Sequence, residues 1–375
     1  MYRKAYTPYF EELRGKIDGL GGLFNSHLHL DRSGTYHATV DILSGRGEKH
    51  GAALPLSGKH ALIPLIHASR LYDPDVLEAR TAEYLDLMVE AGTTRADTVV
   101  DCTPDRVGLS ALETFLGLKE RYAGRIDFRS GAYSPFGFRD DEPHRWDLLR
   151  RAADVADFIG LLPERDDHDL YPDHIGFRES ARRGLVLAAE LGKSVHIHVD
   201  QANHIYEDGS ETIVSIVREL GLSGAGRAEP LIWLIHVISP SRYEEPRFRK
   251  LVADLAELNI GIIVCPSAAI SMRQYRAFST PTSNSIARVL EFLEAGVHVR
   301  VGSDNICDIT SPMGTPDLMA ELFVLANAVR FYDIDIFAKL GAGVALDEAD
   351  RARIREHLAV DVQFIEATAR RHLEG

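Results

Sequence analysis

One pattern limits the fold of this chain more than any other. A short apolar, β-rich run is followed by a longer amphipathic one, eight times over. The short runs lie near Leu23–Leu30, Thr93–Asp101, Ile126–Tyr133, Phe158–Leu162, Val195–Asp200, Leu231–Ile238, Gly261–Cys265 and Val297–Ser303. Helical patterns cover Asp73–Ala91, Leu109–Tyr122, Pro143–Ala156, Phe177–Leu191, Glu211–Leu220, Pro246–Asn259, Ser285–Ala295 and Pro316–Tyr332. Asp73-Pro74 is a helix start and Gly92 a stop, and Gly192 and Gly296 stand where a helix ends before the next strand. Eight strands each followed by a helix predict an α/β chain folded as a (β/α)8 TIM-type barrel. A bare barrel needs ~250 residues. The remainder of these 375 residues goes to an N-terminal lead-in, a long loop over Ser33–Leu71 after the first strand, and extra C-terminal helices after Tyr332. Residues 1–375 are therefore expected to form a single domain. A long loop at the catalytic mouth of a barrel shapes or covers the site.

Composition excludes several classes of function. With 42 basic against 56 acidic residues the formal charge is −14, and no run of five Lys or Arg occurs, which argues against nucleic acid and anionic lipid as partners. No stretch reaches the ~18 apolar residues of a membrane span. Met1-Tyr2-Arg3-Lys4 runs into Glu11 and Glu12 with no apolar core of a secretory signal. Cys102, Cys265 and Cys307 are too scattered for a disulfide framework or a cysteine zinc site. The expectation is a cytoplasmic protein whose partner is a small-molecule substrate, with homo-oligomerisation left open.

Four motifs carry chemistry. In Ser26-His27-Leu28-His29-Leu30-Asp31 the strand period of two turns His27 and His29 to one side, which is half of a metal site or two hydrogen-bonded strand-end residues. In Val195-His196-Ile197-His198-Val199-Asp200-Gln201 the apolar residues face outward. His198 sits at the barrel mouth as the better ligand, and His196 lies one layer below. His236 ends the sixth strand and, alone, reads as a core histidine. Val301-Gly302-Ser303-Asp304 pairs a glycine that permits close backbone approach with an aspartate suited to bind a metal, act as a base or cap a helix. All four fall at the C-terminal strand ends, where barrel enzymes gather their catalytic groups.

These segments, with Cys265-Pro266, Ser271-Met272-Arg273 and the closing Ala367–Leu373 helix, resemble the cytosine deaminase-like branch of the amidohydrolase superfamily over nearly the whole chain. The resemblance implies one divalent metal ion, zinc first and iron second, held by His27, His29, His198 and Asp304. It gives His236 the role of polarising substrate beside a metal-activated water. Leu161-Leu162-Pro163-Glu164 has no lysine for the bridge of two-metal members. Asp304 would then take the proton of that water, which a cation brings to a pKa near ~7.

Three departures shape the expected function. The deaminase glutamate three residues after the fifth-strand histidine is here Gln201, which cannot shuttle a proton. Glu164 and Asp167 are the acids placed to substitute. Arg32 replaces a common lysine, reading either as a substrate contact or as the partner of a loop acid such as Asp308. The β-sandwich of most of the branch is not apparent in the sequence. Arg273 is a further candidate substrate contact; Asn203 and His204 read as mouth-lining or turn residues, and Cys307 as packing. His298 and Arg300 share parity with Asp304 and predict a polar barrel interior. The leading expectation is a mononuclear metal-dependent hydrolase of a C–N bond in an amide, urea or similar small polar molecule, anionic or heterocyclic. Alternatives are a deaminase of an unusual heterocycle with another residue replacing the glutamate, a non-hydrolytic metal lyase, and a metal-binding pseudoenzyme.

Overall fold

The computed structural model describes residues 7–45, 51, 54, 56–271 and 286–373. All eight apolar runs form strands: β1 Leu23–Leu28, β2 Thr93–Asp101, β3 Asp127–Tyr133, β4 Phe158–Leu161, β5 Val195–Val199, β6 Ile232–His236, β7 Gly261–Val264 and β8 Val299–Val301. They pair in parallel and in chain order within one eight-stranded sheet. The sheet closes where the chain leaving β8 meets β1. Asp304 N–H donates to the His27 carbonyl at 2.9 Å, and the Ser26 hydroxyl donates to the Val301 carbonyl at 2.7 Å. Gly302 makes this closure fit, because a Cβ there would stand 2.8 Å from the backbone N and O of His27. The chain is a (β/α)8 barrel of the TIM type.

The helices follow the sequence pattern closely where they are long. Phe177–Leu191 forms over the predicted range and ends on Gly192 at φ 64°, and Pro74–Glu90 ends ahead of Gly92 at φ 90°. The predicted Ser285–Ala295 helix is shorter, Val289–Glu294; Ser285 lies outside the described residues. The Pro316–Tyr332 pattern yields Met319–Val329. The Asp317 carboxylate accepts from Met319 N–H at 3.1 Å, and Arg330 terminates the helix in the left-handed region. Beyond it run Ile334–Gly341, capped by Asp333, and Glu348–Leu373.

The segment Ser33–Leu71 departs from the expectation of a plain loop. It holds helices Tyr36–Ser44, Leu56–His60 and Ile63–His67, with a 3-10 turn at Arg70–Tyr72. One- or two-turn helices carry too few residues to show a 3.6 period, and they form because packing holds them. Leu43, Leu62, Ile63 and Ile66 are all buried.

Inside the barrel, parity is as read. Val195, Ile197 and Val199 join the outer core with Ile213 and Val217 of the helix Gly209–Leu220, and His196 stacks on Phe158 at 4.3 Å between ring centres. The lower interior is polar. Arg300 lies 4.0 Å over the Trp233 ring and pairs with Glu229, and His298 Nε2 hydrogen-bonds the Gly343 carbonyl at 3.2 Å. Among the described residues no helix is long and apolar enough to cross a membrane.

Candidate metal centre

The closing ladder brings the first and last motifs together. β1 carries His27 and, one step beyond its end, His29. The β8–β1 hydrogen bonds fix Asp304 against them, with its Oδ1 3.4 Å from His29 Nε2 and 3.7 Å from His27 Nε2. Across the barrel, β5 aims His198 at the same point, its Nε2 3.1 Å from His27 Nε2. The other nitrogen of His198 donates to the Leu161 carbonyl at 3.0 Å, which orients the ring. His236 at the end of β6 completes a second cluster with His27 and His198. Asp200, His236 and Asp304 all adopt positive φ, 58°, 77° and 60°. Such backbone costs about 1–3 kcal/mol per residue and persists only where the surroundings enforce it.

The donor set fits a divalent cation. Ligand atoms at ~2.0–2.1 Å around a tetrahedral ion sit roughly 3.4 Å apart. The observed 3.1 Å between His27 and His198, 3.4 Å between His29 and Asp304 and 3.7 Å between His27 and Asp304 bracket that spacing; the groups form two triads that share His27, one with His29 and Asp304 and one with His198 and His236. Burial, reinforced by the neighbouring imidazoles, holds His27 and His236 well below the usual histidine range; burial and the Arg32 charge do the same for His29 and bring His198 to about 4. All four are thus neutral at pH 7, the form that ligates. Burial beside Asp308 pushes the Asp304 carboxyl up to about 8, a cost that an adjacent cation offsets. His27 Nδ1, His29 Nδ1 and His236 Nδ1 are buried without hydrogen-bond partners among the described residues.

The cluster lines a cavity of about 30 Å³, room for one or two waters. Gln201, Arg32 and Asp308 also line it. Arg32 does not pair with Asp308. Its Nε and Nη2 engage both oxygens of Asp101 on β2 at 3.1 and 2.6 Å. Asp101 sits buried within reach, and the closer bidentate geometry wins. Asp308 instead accepts from Asn305 Nδ2 and from the backbone N–H of Thr310 and Ser311, bracing its own loop. Gln201 Nε2 donates to Glu164 at 2.7 Å, so of the two acids after β4 it is Glu164 that meets Gln201. Burial, then Glu207 and Asp200, raise Glu164 well above the carboxylate range. His204 accepts from Tyr206 N–H in a turn, Asn203 is buried, and Cys307 sits beside the Tyr84 hydroxyl, away from the cluster. Arg273 lies outside the described residues.

Several site residues escaped the sequence reading. Lys59 and His60 come from the short helix Leu56–His60 and line the cavity with Tyr133 from β3. His67 bridges Asp101 and Asp105 at 3.0 and 2.7 Å, and Tyr72 donates to Asp31 and Asp101. The available signal was four charged or imidazole side chains, Lys59, His60, His67 and Arg70, inside an otherwise apolar segment.

No family model matches the sequence. An uncharacterized protein of Haemophilus influenzae is 28% identical over 271 residues, 71% of this chain and 89% of that protein. Among solved structures, 5-methylcytosine deaminase from Klebsiella pneumoniae liganded with 5-fluorocytosine superposes with a TM-score of 0.72 at 23% identity, covering 88% of this chain and 74% of that one. N-isopropylammelide isopropylaminohydrolase from Burkholderia multivorans gives a TM-score of 0.64 at 21% identity, with the same coverage. The likeness at these identities is one of fold, and the chain shares the barrel of both enzymes.

Proposed function

We propose that this chain is a mononuclear metal-dependent hydrolase of the amidohydrolase superfamily that cleaves a C–N bond of a small polar molecule. The observation that carries the reading is the meeting at His27 of two buried triads, one with His29 and Asp304 and one with His198 and His236, at the C-terminal mouth of the barrel. The deaminase and aminohydrolase that share the fold support it. Zinc is the proposed ion, with iron second. A divalent ion held by these residues supplies hydroxide at neutral pH by lowering the pKa of bound water toward ~7.

The chain's own groups do the rest. Asp304 accepts a proton on its carboxylate and passes it to the leaving nitrogen. His236, neutral and buried, offers its ring N–H to the oxygen that gains charge on the substrate. Gln201, held by Glu164, hydrogen-bonds the substrate without moving a proton. Arg32 and Asp308 line the site while their charged groups brace Asp101 and the β8 loop. Arg273 is proposed as a further substrate contact on sequence grounds alone.

Turnover of an amide, urea and heterocycle panel by the zinc-loaded protein tests this reading. Asp304→Asn keeps the shape and removes the base, so activity falls by about 100-fold or more; unchanged turnover in that variant overturns the assignment. One observation favours a second reading, an aminohydrolase acting on an unusual heterocycle. Glu164, raised well above the usual carboxylate range by burial, accepts a hydrogen bond from Gln201 at 2.7 Å. Ammonia release that is confined to heterocycles and lost in Glu164→Gln would select it.

A further inference from the structure

Lys59 is buried, 8% exposed, and lines the cavity beside Asp304. Its ammonium carries three donors, and among the described residues one is used, at 3.0 Å from the Thr310 carbonyl. Among the described residues it has no carboxylate within ion-pair distance, whereas most of the ion pairs present lie on the surface. The other buried cations at this mouth make several contacts each. Arg32 has the Asp101 carboxylate, and Arg80 donates to the carbonyls of Asp31, Ser33 and Leu71. Asp308, which lines the same cavity, has both oxygens occupied by its own loop. A buried ammonium with a single hydrogen bond is costly unless something else completes its shell. Ile63, Ile66 and Ile309 form apolar walls beside it, which strengthen any charge pair made there.

We propose that Lys59 is the substrate-recognition cation of this site, and that the substrate carries a carboxylate within a few bonds of the hydrolysed C–N group. This inference rests on the hydrolase reading. A neighbouring chamber of about 230 Å³ shares Leu56, His60 and Gln201 with the cavity at the cluster and accommodates the remainder of the molecule. The substrate class is therefore an amide or carbamoyl derivative of a small carboxylic acid, rather than a neutral nucleobase.

The test is calorimetric binding of matched pairs, oxamate with oxamide and malonamate with malonamide, to the zinc-loaded full chain. Zinc alone attracts carboxylates, so the variants Lys59→Met and Lys59→Arg assign the preference to its source. Wild type binds each acid about tenfold or more tighter than its neutral partner. Lys59→Met brings that ratio close to one at unchanged zinc content, and Lys59→Arg retains most of it. Equal binding of acids and neutral amides by wild type overturns the proposal, as does an undiminished ratio in Lys59→Met. Should Lys59→Met fail to fold, Lys59→Gln is read the same way. Zinc uptake and amide turnover measured beside these titrations report on the hydrolase reading separately: turnover without acid preference sinks this inference alone, and acid preference without turnover sinks that reading alone.

Discussion

Gly302→Ala adds one methyl group at the point where the barrel closes, and its consequences can be worked out. The glycine's φ is not in the left-handed region, so alanine suits the backbone, and at such a site Gly→Ala gains about 0.4–1 kcal/mol by restricting the unfolded chain. The steric term opposes this. The new Cβ would lie 2.8 Å from both N and O of His27 and 2.9 Å from its Cβ. These are backbone atoms of a strand held on both sides, so the ends of β8 and β1 must part by several tenths of an ångström. Overpacking of this kind costs about 1–3 kcal/mol. Net destabilisation of about 1–2 kcal/mol is expected, a fall of about 1–3 °C in Tm for a chain of this size. The same movement separates His27 from Asp304, whose N–H donates to the His27 carbonyl. Zinc affinity, read by chelator competition, is therefore expected to drop about 10- to 100-fold, as when a ligand-orienting group is disturbed. A variant melting at or above wild type with unchanged zinc affinity would refute the argument that close approach at Gly302 sets the site.

Three further predictions follow from the ionised network behind the cluster and from Gln201. Asp101→Asn leaves Arg32 and His67 buried without their shared carboxylate, so chemical denaturation should show a loss of about 3–5 kcal/mol; a loss below 1 kcal/mol would show that the network carries little stability. Burial alone would lower the His67 pKa, but hydrogen bonds to Asp101 and Asp105 outweigh it and raise the group to about 9. Its folded pKa exceeds the unfolded value near 6.5, so its contribution is fully present below ~6.5 and is lost as pH rises through about 9. Denaturation from pH 6 to 10 should therefore show wild type losing stability relative to His67→Gln across that window, and parallel curves would contradict this. Cytosine should release no ammonia at enzymatic rates, because Gln201 cannot shuttle the proton; rapid release would show that Glu164 or another acid has taken over that step.

The barrel was legible because each βα unit announces itself locally. β5 shows this well: its apolar residues pack outward, and its histidines point in, as alternation demands. The proximity of His27, His29, His198, His236 and Asp304 was legible for a related reason, since these side chains stand at or just beyond strand ends and strand ends share one rim. The residues that escaped are those whose partners are set by tertiary packing. Nothing near Arg32 in sequence marks Asp101 as its partner, 69 positions away. Lys59, His60 and His67 lie on helices too short to leave a period, and they reach the mouth only because Leu62, Ile63 and Ile66 bury beneath them. The meeting of Glu164 with Gln201 required the β4–β5 register, which pairs Leu161 with Ile197.

The central claim is that one divalent cation sits among His27, His29, His198 and Asp304 and is required for hydrolysis. Titration of metal-stripped protein with zinc, followed by both bound-metal analysis and turnover, tests it most directly. The account predicts one zinc per chain, activity that rises in proportion to occupancy, and loss of both in His27→Ala and His198→Ala. Full activity in protein free of metal, or stoichiometric zinc that survives removal of both histidines, would contradict it.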